Sequence, residues 1–431
     1  MKLGWAQIFR LGLVQMCLGA VVVLTTSTLN RLMVVELALP AVVPGLLVAL
    51  HYGIQITRPN WGFRSDTRGN RTLFIIFGMV VLALGGFLAA LGVVVMATAW
   101  TAGMVLSITA YALIGVGVGA SGTSLLALLA TATAPHRRAA AATITWLMMI
   151  LGIAVTAGTV GHFLAPYSPA LLLEIVAIVT IGAVVVTTIA VWGIERSVIA
   201  EREADPAPFR AGLAEIWAEP RARDFTVFVF LSMTAYFMQE LILEPYAGLV
   251  FGMTPGQSTQ LSGMQNGGVF VGMLLVGVAA TALRIGTLRA WVVAGCLGSA
   301  ATLMVIAALG QMAVGLIVPA VIALGFFNGM FAVAAIGSMM ALAGEGRQAR
   351  EGTRMGLWGA AQAIAAGFGG LMGAVGVDLM RIWADAPTAY GLVFMVEAGL
   401  FMIAALIALR VIDAKRGGSA PQTSAFAVPG E

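Results

Sequence analysis

The chain has 431 residues, of which 60% are hydrophobic and 10% charged, with a formal net charge of +4. Soluble globular chains are roughly 45–50% apolar and about 25% charged, so a water-soluble domain is excluded, and the shortage of charge excludes a disordered chain. The basic surplus does not point to nucleic acid, because the arginines lie in short loops between apolar runs, where they set orientation in a membrane.

Lys2 and Arg10 lead into a long apolar run without a small-residue cleavage site, which reads as a first span and not as a leader. Apolar stretches predict spans at 11–29, 40–57, 73–97, 103–133, 139–165 and 168–193, then at 225–243, 257–283, 290–310, 313–343, 357–377 and 389–410. At about 20 apolar residues per crossing, this is an all-α polytopic membrane protein with twelve transmembrane helices. Residues 1–193 and 225–412 read as two six-helix halves, 194–224 as a linker and 413–431 as a disordered tail. In the linker, Phe209, Leu213, Ile216 and Trp217 recur at helical spacing between Pro208 and Pro220. Such a stripe fits a short helix on the membrane surface, or an ordinary solvated linker. With the N-terminus inside, all but Arg31 and Arg381 of the 23 Lys and Arg residues fall on the cytoplasmic side, which places both termini there.

The two halves echo each other. Gly115 and Gly119 are answered 210 residues later by Gly325 and Gly329, and Arg137 by Arg347. Glycine lets helix backbones approach closely where lipid removes the hydrophobic drive between helices.

A charge at mid-bilayer costs about 2.5–3.5 kcal/mol on insertion scales, so each one needs a partner or a purpose. Glu240 lies deep in the seventh span beside Gln239, with Glu244 one turn on. Arg31, at the end of the first span and followed by Glu36, is expected to pair with Glu240 or Glu244. Glu174 and Glu397 are read at similar depths in the sixth and twelfth spans, as contacts to a pigment or a partner protein or as acids bonded to a neighbouring helix. His51 and His162 lie in spans, where a neutral imidazole suits the axial position of a chlorin magnesium or bonds a neighbouring helix. His136 lies in a basic loop, and Cys17 and Cys296 lie in apolar runs without a readable disulfide. No phosphate-binding Gly-x-x-x-x-Gly-Lys loop, paired aspartate-rich motif or metal cluster is readable, so no catalytic residue and no metal is assigned.

Two segments carry a resemblance. Gly62-Phe63-Arg64-Ser65-Asp66-Thr67-Arg68-Gly69-Asn70-Arg71 resembles the G-x-x-x-D-x-x-G-x-R signature of the major facilitator superfamily. That resemblance implies a conformational latch at Asp66 and Arg71, with Gly62 and Gly69 turning the chain; the corresponding second-half loop, Arg284 to Arg289, has no aspartate. Leu29-Asn30-Arg31-Leu32-Met33-Val34-Val35-Glu36-Leu37 resembles the LNR-x-M-x-VEL segment of the PucC/LhaA family of major facilitators, and Glu244-Pro245-Tyr246-Ala247-Gly248 its LEPYGG segment, with alanine at 247. The short loop from Arg58 to Arg71 and the mass of 44.6 kDa are closest to the branch labelled a bacteriochlorophyll synthase 44.5 kDa chain. The resemblance implies a non-enzymatic factor that delivers bacteriochlorophyll, as carried ligand, to light-harvesting or reaction-centre apoproteins, in association with the pigment synthase. It implies residence in a photosynthetic intracytoplasmic membrane of a bacterium, and a hub at Asn30, Arg31, Glu36, Glu244, Pro245 and Tyr246. The competing expectation is a proton-coupled transporter of a small solute or pigment precursor, with Glu240 titrating.

Overall fold

The computed structural model describes residues 3–58, 61, 70–134, 137–195, 217–281, 283, 285–312, 315–344 and 351–412, and no strand occurs among them. The first half comprises α1 (Trp5–Val23, continued by π-helical turns at Leu24–Leu29 and Leu32–Glu36), α2 (Val42–Ile54, with a 3-10 turn at Gln55–Thr57), α3 (Arg71–Met96), α4 (Trp100–Ala132), α5 (Arg138–Phe163) and α6 (Pro169–Val191). The second comprises α7 (Pro220–Phe251), α8 (Pro255–Thr281), α9 (Leu288–Met312), α10 (Ile317–Gly344), α11 (Glu351–Met380) and α12 (Ala386–Val411).

Eleven of the twelve helices among the described residues are long and apolar enough to cross a bilayer. The exception is α2, whose 13 α-helical residues rise only about 20 Å. Pro40 and Pro44 bracket its start, where a missing N–H is tolerated. Most other helices overrun their predicted ends: α7 starts at Pro220 and not at 225, and continues to Phe251. Exposed tryptophans mark two levels, Trp5, Trp192 and Trp217 at the end where α1 begins, and Trp100 and Trp383 at the opposite end. Amphipathic rings collect at membrane–water boundaries. The first of these ends is the basic end, with Arg137 placed 5.2 Å over the Trp5 ring.

The packing repeats. In the first half α1 packs on α5 and α6, α4 on α2 and α3, and α3 on α6. In the second half α7 packs on α11 and α12, α10 on α8 and α9, and α9 on α12. The glycine echo has the same geometric use in both. A Cβ on Gly115 would meet the His51 carbonyl of α2 at 2.7 Å, and one on Gly325 would meet the Gln265 carbonyl of α8 at 2.0 Å. The halves join along α5 and α8, where a Cβ on Gly263 would meet the Gly158 backbone at 2.6 Å and Gly161 and Gly256 face each other, and along α2 and α11.

Acidic side chains close two helix starts, one within the first half and one across the halves. Glu195, after α6, accepts from the backbone N–H groups of Arg71 and Thr72 at 2.9 Å each, opening α3 at the basic end. At the far end Asp378 of α11 accepts from Ala41 N (2.9 Å) and Val42 N (2.7 Å), so a residue of one half caps a helix of the other. A carboxylate there satisfies orphan donors and meets the positive end of the helix dipole.

Candidate functional site

The site grows from an irregular stretch of α1. Residues 25–28 read Thr-Thr-Ser-Thr, and hydroxyls in a helix compete for its carbonyls. Thr25 and Thr26 both donate to the Val22 carbonyl, at 2.7 and 3.4 Å. The turn widens to π-helix, a form found mostly at functional positions, and the Thr25 carbonyl accepts from Tyr111 of α4 at 3.0 Å.

The widened segment meets α7 and α8 through polar contacts that all cross from one half to the other. The Ser27 hydroxyl donates to Glu244 Oε1 and lies 2.6 Å from the Ser262 hydroxyl. Thr28 and Thr259 hydroxyls are 3.2 Å apart. Asn30 Nδ2 donates to the Leu241 carbonyl at 2.5 Å. That carbonyl needs an outside donor, because Pro245, four residues on in α7, has no N–H to give it. The two family-like segments are therefore one structural unit, Asn30 completing the helix that Pro245 interrupts. Tyr246 next to it is fully buried and donates to the Ile306 carbonyl of α9 at 2.8 Å.

Arg31 pairs with neither Glu240 nor Glu244. Its Nη1 donates to Glu36 at 2.5 Å and its Nη2 to the Met253 carbonyl at 2.7 Å. The side chain runs past Gly248, where a Cβ would stand 3.3 Å from Nε and Nη2. The π-helical turn sets the cause: it brings Glu36 back alongside Arg31, five residues apart.

Below the Ser27–Glu244 contact lies a small polar cleft lined by Val23, Ser27, Tyr236, Gln239, Glu240, Ser262, Gln265 and Asn266. It has room for on the order of one water molecule. Gln239 is fully buried and neither atom of its amide has a hydrogen-bond partner. Glu240 is half-buried at the edge of the cleft. Sequence reading singled out the two carboxylates and missed Ser27, Ser262, Gln265 and Asn266. Their signal was present as small polar residues inside apolar runs, but it does not say which helix face they occupy.

The other candidates scatter. His51 is 1% exposed, lies beneath Gly115 of α4 and sits 2.8 Å from the Gln55 side chain, so no external ring reaches it. His162 is exposed near the end of α5, its ring 5.2 Å edge-on from Phe163. Glu174 and Glu397 do not occupy equivalent positions. Glu174 is exposed, five residues into α6, whereas Glu397 is eleven residues into α12 and wholly buried. Glu397 is therefore no surface contact. Its helix packs on α7 and α9 with Phe394 and Phe401 buried on either side of it. Gly62, Asp66 and Gly69 of the latch segment lie outside the described residues, as do His136, Arg347 and the stripe Phe209, Leu213 and Ile216. Arg71 opens α3, where the acid on its backbone is Glu195.

Neither Glu397 oxygen has a hydrogen-bond partner. Leaving a buried polar group without a hydrogen-bond partner costs about 1–3 kcal/mol, which an apolar side chain of similar size avoids. Glu397→Leu is accordingly expected to raise the melting temperature of the purified protein. A clear fall would reveal a polar contact at Glu397 that the packing does not show.

A profile described as PUCC protein matches residues 28–416. The chain belongs to the PUCC protein family. It is 70% identical to the "Bacteriochlorophyll synthase 44.5 kDa chain" of Rhodobacter capsulatus over 99% of this chain and 100% of that protein. To a "Protein PucC" from Rhodobacter capsulatus it is 28% identical, over 96% of this chain and 93% of that one. Among solved structures, a peptide transporter POT superposes with a TM-score of 0.70 at 13% identity, covering 95% of this chain and 96% of the transporter. This PUCC family member therefore has the major facilitator fold.

Proposed function

We propose that this protein is a non-enzymatic carrier that delivers bacteriochlorophyll to light-harvesting or reaction-centre apoproteins, working beside the pigment synthase in a bacterial photosynthetic membrane. The observation that carries the reading is the end-to-end 70% identity to a protein named for bacteriochlorophyll synthesis, joined to membership of the PUCC family. The cleft between α1, α7 and α8 has room for about one water and does not admit a macrocycle, so the carrier reading places the pigment at the protein surface.

A surface ligand is at hand in His162. A helical side chain covers the turn N-terminal to its own position, so a ring bound through His162 would lie over Gly158. A Cβ at Gly158 meets nothing within 4 Å. His162 and Gly158 thus offer a neutral nitrogen and a flat place for a magnesium chlorin, bound as cargo.

The test is an absorption spectrum of protein purified in mild detergent from pigmented cells. Wild type is expected to carry a near-infrared band at a fixed ratio to protein. His162→Ala and Gly158→Leu are expected to remove most of that band, with His162→Ala inserting and melting like wild type. A colourless wild-type preparation would overturn the carrier reading. Pigment retained in both variants would overturn His162 as its ligand. The second reading, a small-solute transporter, is favoured by the polar contacts that join the halves at the far end, and predicts flux in proteoliposomes that follows a pH gradient.

A further inference from the structure

The cleft between α1, α7 and α8 has a chemistry that pigment carriage does not use. Its polar lining is made of Ser27, Ser262, Gln265, Asn266, Gln239 and Glu240, with Tyr236 beside them and Glu244 behind Ser27. One carboxylate, Glu240, and several neutral oxygens therefore converge, with the Glu244 carboxylate behind Ser27, and no basic side chain lines the space. Arg31 bonds Glu36 and the Met253 carbonyl, and Arg58 bonds Gln55. Acidic residues alone would not make a site, but an unpartnered amide points into it. Gln239 is fully buried with both amide atoms unsatisfied. Glu244, 1% exposed, keeps its second oxygen, Oε2, without a partner.

Unpaired charge and unsatisfied amides inside a bilayer are costly, and a small positive ion relieves both at once. The size of the space selects among ions. Magnesium keeps several waters, which a cleft that holds about one water does not admit, and calcium is usually caged by several carboxylates, of which one lines this space. Among the described residues no group of three His, Cys, Asp or Glu side chains is arranged to hold a metal ion. We propose that this cleft binds one monovalent cation, held by the Glu240 carboxylate with the Gln239 carbonyl and the Ser27 and Ser262 hydroxyls, and with the Glu244 carboxylate behind Ser27 adding to the negative field. Ser27 comes from the first half and the other ligands from the second, so an ion bound here holds the two halves together at the far end.

Sodium and the proton share this chemistry, and one experiment separates them. Full-length protein in nanodiscs is melted in sodium chloride or in choline chloride at equal ionic strength, across a pH series. If sodium is the ion, the melting temperature rises with sodium and not with choline. Glu240→Gln and Gln239→Leu then raise the half-saturating concentration about tenfold, equal to ~1.4 kcal/mol of lost ligation. If the proton is the ion, sodium has no effect, and melting in choline depends on pH in wild type but less so in Glu240→Gln and Glu244→Gln. The other ionisable groups facing the site, Tyr236 on α7, Tyr52 and Arg58 on α2 and Arg31 on α1, remain in every variant. Glu174→Gln, exposed on α6, serves as control and is expected to behave as wild type. Melting that ignores sodium, and whose pH dependence is the same in wild type and variants, overturns the proposal. Pigment content is not read in this test, so its outcome is independent of the carrier reading.

Discussion

Gly325→Leu is expected to abolish recovery of folded protein. α8 and α10 meet through glycines on both sides: a Cβ on Gly325 would lie 2.0 Å from the Gln265 carbonyl and one on Gly329 2.1 Å from that of Val269. From the other helix, Gly268 and Gly272 would strike the Ile322 and Phe326 carbonyls at 2.4 and 2.1 Å. Every one of these obstacles is backbone, which moves only if a whole helix moves. Overpacking a core typically costs about 1–3 kcal/mol, and a leucine here exceeds that range because no side chain can turn aside. The seam also places Gln265 and Asn266 beside the cleft, so even Gly325→Ala is expected to lower both melting temperature and cation affinity. Gly182→Ala on α6, where a Cβ meets nothing within 4 Å, is the matched control. A Gly325→Ala protein that melts with wild type would show that the two helices lie further apart than described.

The second large effect concerns the contact between the two halves of α1 and α7. Asn30→Leu removes the donor to the Leu241 carbonyl, which Pro245 leaves without its helical partner. An unsatisfied buried carbonyl costs about 1–3 kcal/mol, read as a fall in melting temperature. Pro245→Ala restores an N–H four residues on and so supplies the missing bond from within the helix. In the double variant the cost of Asn30→Leu is expected to shrink by about 1 kcal/mol or more, a coupling that a double-mutant cycle measures directly. Additive effects would mean that Asn30 and Pro245 act separately, and that their union through Leu241 has no energetic content.

Several features were readable before any coordinates. Composition alone required a helical membrane protein, because lipid leaves each spanning segment to satisfy its own backbone. The number of helices among the described residues followed from run length. The segments around Asn30–Glu36 and Glu244–Tyr246 stood out as patterns, and they do meet. Their mode of meeting was not readable. Arg31 was expected to reach for the nearest carboxylate of α7, and a π-helical turn that run length does not reveal gave it Glu36 instead. Glu174 and Glu397 looked alike because each is a lone acid in an apolar run, yet one is exposed and the other wholly enclosed.

The physical reason is the solvent. In water an amphipathic stripe tells which face of a helix is buried, since polar residues mark the outside. In a bilayer both the lipid-facing and the packed face are apolar, and that mark disappears. What remains in the chain are the exceptions: glycines, hydroxyls, amides and acids, whose number and order are plain but whose orientation is not. The amino-acid order thus settled the class, the helix count and the family, while the partners of Arg31 and Glu244, the shortness of α2 and the enclosure of Gln239 and Glu397 arose from how twelve apolar helices pack at their glycine seams.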